Sequence, residues 1–315
     1  MAIIFGILSA FFFSLTFILN QMMAATDGNW LWTASLRFLI MIPLFAVTVG
    51  LQRSRGFYRV GQAVKNNWRS WVIWSNVGFV LFYAPLTLAS TLTPAWVVAS
   101  TWQLTIIAGS LLAPLLEDSA EGKRNSKLNR CEFLCFLVIL FGVGIIELQQ
   151  MSKHNDSLLL LIALILMLIS AFSYPLGNRK IIKLNNRTSQ LNTGERILAM
   201  LICSSPTWLI CSFIAYIQTG VPTHSQLIMS STVAIFSGFI ATYLFFYATQ
   251  LAQHNVKYLA TIEATQSLEV IFTIILGIVL LRDSFPNLIK CFGIILIIIG
   301  MIFKISQVAY KTRNN

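Results

Sequence analysis

Ten apolar runs, each long enough to cross a hydrocarbon core as a helix, follow one another along this chain with short polar stretches between them. They lie near Ala2–Met23, Trp30–Leu51, Trp71–Ala89, Ala95–Leu116, Glu132–Gln149, Ser157–Asn178, Arg196–Ile217, Leu227–Leu251, Lys257–Leu281 and Pro286–Gln307. A helix rises about 1.5 Å per residue, so about 20 residues cover the ~30 Å apolar layer of a bilayer. No water reaches that layer to bond the backbone, so a spanning segment must satisfy its own amides, and runs of this length do so as helices. The first run has no Lys or Arg before it and is too long for the core of a signal peptide, so it counts as a span. The expected fold is an all-α integral membrane protein of ten transmembrane helices. Composition agrees: 10% of the 315 residues are charged, against about 25% in a soluble domain.

The basic residues set the orientation. Of the 22 Lys and Arg, all but four fall in loops on one side of such a bundle, among them Arg179, Lys180, Lys183, Arg187 and Arg196. That bias puts both termini in the cytoplasm and makes the protein a multi-pass protein of the cytoplasmic (inner) membrane. It also accounts for the formal net charge of +11, so no nucleic-acid partner is expected. The five cysteines sit in or beside apolar runs without a C-x-x-C pair, and the three histidines fall between runs. These patterns call for packing residues, with no metal and no cofactor.

Short echoes repeat along the chain. Ser9-Ala10-Phe11 returns as Ser170-Ala171-Phe172, Arg37-x-Leu39-x-Met41 as Arg196-x-Leu198-x-Met200, and Phe82-Tyr83-Ala84 as Phe246-Tyr247-Ala248. They fall in register as spans 1/6, 2/7 and 3/8. Residues 1–150 and 157–307 therefore read as two five-helix repeats, with a cytoplasmic tail at 308–315. Five is odd, so the second repeat enters from the opposite side. The result is an inverted repeat, whose halves can rock about a site at mid-membrane.

Two carboxylates lie inside the ninth run. Glu269 falls about 18 Å from its Lys257 end and Glu263 about 9 Å in. A charge at that depth costs at least ~2.5–3.5 kcal/mol, which makes an intramembrane acid a functional-site hypothesis. Glu263, Gln266 and Glu269 share one helical stripe, which should face a cavity. Span 4 is the counterpart of span 9 and puts Gln103 near the level of Glu269. Trp102, Tyr83 and Tyr247 lie at suitable depth to offer aromatic faces to a cation. A carboxylate in a low-dielectric site holds its proton more tightly and can trade it for a cation. Arg37 on span 2 leaves a second reading open, in which it neutralises Glu269 and an anionic or zwitterionic substrate becomes more natural. Glu263 is shallower, and a wall position and a reach toward cytoplasmic water are both open to it. Trp30, Trp32 and Trp71 read as interface anchors and Glu147 as interfacial. Gly293 and Gly300 share a face suited to close helix packing, including a seam between two copies.

Ser35-Leu36-Arg37, Phe82-Tyr83-Ala84-Pro85, Thr101-Trp102-Gln103 with Ala108-Gly109-Ser110, the run from Ala171 to Lys180, and Glu263-Ala264-Thr265-Gln266-Ser267 followed by Glu269 together resemble the drug/metabolite transporter superfamily, in its multidrug resistance efflux transporter branch. The resemblance implies a ten-helix carrier with a small-molecule substrate between its halves. The small four-helix members of that superfamily use a glutamate in their first helix, whereas span 1 here offers Ser9, Ser14, Thr16, Asn20 and Gln21 but no acid. The expected function is proton-coupled efflux, with Glu269 as the coupling group. The substrate is a lipophilic cation or, on the second reading, an amino acid or other metabolite. No P-loop is present for direct drive by ATP. An intramembrane enzyme would need converging acid/base or metal groups, of which the spans hold only Glu263, Glu269 and Arg37. A structural membrane subunit would lack a central polar cavity.

Overall fold

The computed structural model describes residues 1–52, 55–116, 130–151, 157–252, 262 and 265–311, and the regular elements among them are all helical. In chain order these are α1 (Ala2–Ala25), α2 (Trp30–Gln52), the short α3 (Gly56–Asn66), α4 (Trp68–Leu92), α5 (Ala95–Trp102), α6 (Leu104–Leu116), α7 (Arg130–Met151), α8 (Ser157–Thr188) and α9 (Thr193–Thr219). Then come α10 (224–252), α11 (Thr265–Leu281) and α12 (Leu288–Lys311). Taking α5 and α6 as one crossing, eight of these are long and apolar enough to cross a membrane, while α11 and the apolar part of α12 are shorter among the described residues.

Local chemistry sets the ends and the breaks. Pro94 opens α5, where its missing N–H costs nothing. The Asn192 side chain accepts from the Glu195 backbone N–H and Glu195 accepts from that of Asn192, a reciprocal cap at the start of α9. Arg59 on α3 adds an ion pair to Glu195 at 3.3 Å and donates to the Gln190 carbonyl at 2.7 Å. Asn192→Ala should therefore lower stability by about 1 kcal/mol, read as a fall in the thermal unfolding midpoint in detergent. Within α4, residues 76–80 widen into a π-helical turn. There the Asn76 amide donates to the Val72 carbonyl and accepts from Thr207 on α9. A longer π stretch covers 233–241 in α10. The crossing of α5 and α6 is interrupted at Gln103, and α11 begins with a 3-10 turn at Thr265–Ser267.

Several boundaries differ from the sequence reading. α8 continues ten residues beyond Asn178, so Arg179, Lys180, Lys183 and Arg187 ride on a helix. Nothing in Asn178–Thr188 breaks a helix, and its buried Ile181 and Asn185 tie it to the body. At 32 residues it is about 48 Å long, well beyond an apolar layer. α12 likewise runs through the expected tail as far as Lys311. α3 was not foreseen, because eleven residues cannot cross a membrane. It buries Val60 and Ala63 and exposes Phe57 and Tyr58.

Lipid chains are as apolar as leucine, so close packing and hydrogen bonds hold such helices together. α2 lies against α9, α7 against α12, α1 against α10 and α11, and α8 against α4 and α6. At the centre the Phe38 ring stacks on Trp208, with centroids 4.8 Å apart, and Phe79 and Tyr83 close the cluster. Trp71 belongs to this core and is fully buried, so it does not anchor the chain at an interface. Two crossings are close enough to need glycine. Gly177 of α8 rests on the backbone of Gly78 in the π turn of α4, and Gly142 of α7 faces Gly293 of α12. Gly300 packs on Cys135 and Ile139 of α7. Both glycines of span 10 thus serve a contact inside one chain instead of a seam between two copies.

Candidate functional site

A cavity of about 480 Å³ opens among α1, α2, α4, α5, α6, α8, α9, α10 and α11. Its charged wall residues, among those described, are Glu269 on α11, Arg37 on α2, Arg179 on α8 and Arg196 on α9. Gln266 and Gln103 line it too, from the two places where α11 and the α5–α6 crossing leave regular α geometry. A helix that changes its turn type frees backbone groups and redirects side chains, and membrane proteins tolerate this beside a cavity.

Glu269 stands in the first turn after the 3-10 segment and is 6% exposed. Its carboxylate forms no ion pair among the described residues. Gln266 donates to the Ser9 hydroxyl at 3.1 Å and so ties α11 to α1. Arg37 is 7% exposed. It reaches Ser237 Oγ at 3.2 Å and Thr16 Oγ1 at 3.4 Å, and its Nε has no partner. Beneath it lies the Tyr83 ring, 4.3 Å from the guanidinium carbon, an attraction of about 1–2 kcal/mol in a desolvated setting. Tyr83 is itself fully buried, with its hydroxyl donated to Asn20 on α1 at 3.1 Å. It supports Arg37 from behind and is not part of the wall.

Trp102 joins Phe82 and Tyr174 in an aromatic triad on one side of the cavity, with centroids 5.0 to 5.5 Å apart. Tyr247 is not there. It is half exposed and meets Phe5 edge-on outside the cavity, two residues and so about 200° round the helix from Phe245, which does line it. Glu263 lies outside the described residues. Glu147 is buried, not interfacial, with Thr101 Oγ1 2.8 Å from its Oε1. It lies outside the cavity wall.

Sequence reasoning assigned Arg179 and Arg196 to the topology signal, yet both line the cavity. Arg179 also donates to the Gly109 carbonyl on α6. The sequence held a clue: Arg196-x-Leu198-x-Met200 echoes Arg37-x-Leu39-x-Met41, and both arginines line the cavity. Tyr174 carried a clue as well, lying one turn before Asn178 on the same face of α8. Both line the cavity.

These features define a polytopic helical membrane protein with a chamber whose largely apolar wall carries charged and amide side chains, the class of a small-molecule carrier. The family model described as "EmrE: Putative multidrug resistance efflux transporter" matches residues 1–310, and the chain belongs to that EmrE-like efflux transporter family. It is 42% identical over 308 residues to the uncharacterized protein YjlA of Bacillus subtilis (strain 168), covering 95% of this chain and 93% of the relative. It is 43% identical over 268 residues to an uncharacterized 42.1 kDa protein of Shouchella clausii, covering 84% and 69%. A solved structure described only as "Crystal structure of protein" shares the fold with a TM-score of 0.63 at 14% identity, covering 98% of both chains.

Proposed function

We propose that this protein is a proton-linked secondary transporter for the efflux of small organic molecules across the cytoplasmic membrane, with both termini in the cytoplasm. In this reading ten spans form two oppositely oriented halves, which close alternately on the two faces of the central chamber. The observation that carries it is Glu269, an acid 6% exposed in a chamber wall with no ion pair among the described residues. A buried carboxyl group left without a cation has a use for a proton.

The helix contacts support the two halves. Shifting each span by five turns the α1–α10 and α1–α11 contacts into those of α8 with α4 and α6. The same shift maps α2–α9 and α7–α12 onto themselves. The π turns of α4 and α10 correspond, as do the break at Gln103 and the 3-10 turn at Thr265–Ser267. Corresponding interruptions are where inverted-repeat carriers place their substrate sites.

Of the two substrate readings, the metabolite reading gains from the chamber's charges. Arg37 and Arg196 face a single acid among the described wall residues and pair with none there, a poor setting for a lipophilic cation. Purified protein in proteoliposomes tests the function. An imposed pH gradient should drive movement of a retained organic solute, and protein-free vesicles should show none. Equal flux with and without the gradient would remove the proton from the mechanism.

A further inference from the structure

We infer that the chamber's substrate is an organic anion, a flat apolar or aromatic body carrying a carboxylate, phosphate or sulfonate group. The inference rests on the transport reading above and names the substrate class of the same site.

The arginines set the head group. Arg37 is 93% buried, its Nε meets nothing, and its other nitrogens reach only two hydroxyls at 3.2 and 3.4 Å. The Thr16 hydroxyl already donates to Ser237 at 2.6 Å, so this pair is as much occupied with itself as with the guanidinium. A guanidinium held in a membrane interior on such terms is incompletely satisfied, and an oxyanion matches its planar fork of donors. Arg196 enters the same cavity from the other half, half-buried and without an ion pair among the described residues. Glu269 cannot neutralise both, and it pairs with neither. Ionised or protonated, it leaves the described wall with excess positive charge, which repels a bare cation.

The triad sets the body. Phe82, Trp102 and Tyr174 pack ring against ring and line the chamber, an aromatic surface of the kind a flat ring stacks on. A volume of about 480 Å³ lies in the range that holds a single small organic molecule.

A coupling sign follows. The titratable and charged groups of the described wall are Glu269 on α11, Tyr174 and Arg179 on α8, Arg196 on α9 and Arg37 on α2. α1, α4 and α10 add none. Protonating Glu269 removes the wall's one negative carboxylate, so proton and anion favour each other. Binding of the anion therefore draws a proton in, where a cation exchanger would expel one. Proton and anion then travel together, so efflux is driven by the anion's own outward gradient, and a proton gradient directed inward opposes it.

The test is calorimetric titration of the purified protein in nonionic micelles with three ligands built on one ring system. These are 2-naphthoate, 2-naphthamide and 2-naphthylmethylammonium, run in two buffers of different ionisation heat with protein-free micelles as blank. Naphthoate should bind at least about tenfold tighter than either other ligand, and Arg37→Gln and Arg196→Gln should each weaken it about tenfold. If Arg37→Gln does not fold, Arg196→Gln and the three-ligand comparison in the native protein decide. The inference is overturned if the ammonium compound binds as tightly as naphthoate, if naphthoate does not bind, or if folded arginine variants bind it unchanged. Naphthoate binding without proton uptake would uphold the substrate class and remove the proton-linked reading, so the two fail separately.

Discussion

Glu269→Gln should leave a folded protein whose transport no longer responds to pH. Glutamine keeps the shape and one acceptor of the side chain but cannot carry a proton on and off. No described cation loses a partner, because Glu269 forms no ion pair there. The unfolding midpoint in detergent should accordingly move by less than the equivalent of about 1 kcal/mol. Coupling free energies between two ligands of one protein run at about 1–3 kcal/mol, or about 5- to 150-fold. The pH-driven part of the flux should fall by a factor in that range, to the level of protein-free vesicles. Paired flux measurements across a pH step, with and without the substitution, check this. Flux that keeps its full pH dependence would move the proton site elsewhere, with Glu263 the next group to substitute.

Gly177→Ala should have the largest effect on folding. A methyl group there would overlap the backbone nitrogen and Cα of Gly78 and come within 2.8 Å of the Trp74 carbonyl oxygen. Those are backbone atoms of a neighbouring helix, so no side chain can turn aside to make room. Overpacking costs about 1–3 kcal/mol and more where the backbone must shift, so at least ~3 kcal/mol is expected here. The midpoint in detergent should drop by about 5 °C, and the yield of monodisperse protein should fall with it. Gly61→Ala is the control: it lies on the exposed side of α3 with nothing within 4 Å, and it should be neutral or slightly stabilising.

Much of this molecule is legible from its residues because lipid leaves so few choices. Apolar runs of about 20 residues must be helices, and eight crossings stand where the runs put them. An acid in mid-run is expensive enough that its position alone marks a site. Gln266, Gln103, Trp102 and Arg37, placed near mid-depth by helical stripe and internal echo, line one cavity with Glu269. The places where the sequence reading failed share a cause, because depth along a helix is readable from sequence while rotation about its axis is not. Tyr247 lies at a plausible depth but faces outward beyond a π stretch, and Tyr83 sits one layer behind the wall. Trp71 and Glu147 lie near span ends and looked interfacial, yet neighbouring helices cover both. The rule that assigns arginines to cytoplasmic loops also concealed two that enter the chamber, and only the internal echo could have separated Arg196 from the rest.

The pairing of α7 with α12 bears on how the chain is made. α7 is synthesised well over a hundred residues before its partner, and its close backbone approach, Gly142 on Gly293, does not exist until the last helix has entered the bilayer. α1 waits in the same way, since Gln266 reaches its Ser9 only once the ninth run has emerged. Insertion and assembly are therefore separated in time. The early helices must tolerate lipid on faces that later become protein, which the small hydroxyls of Ser9, Ser14 and Thr16 allow.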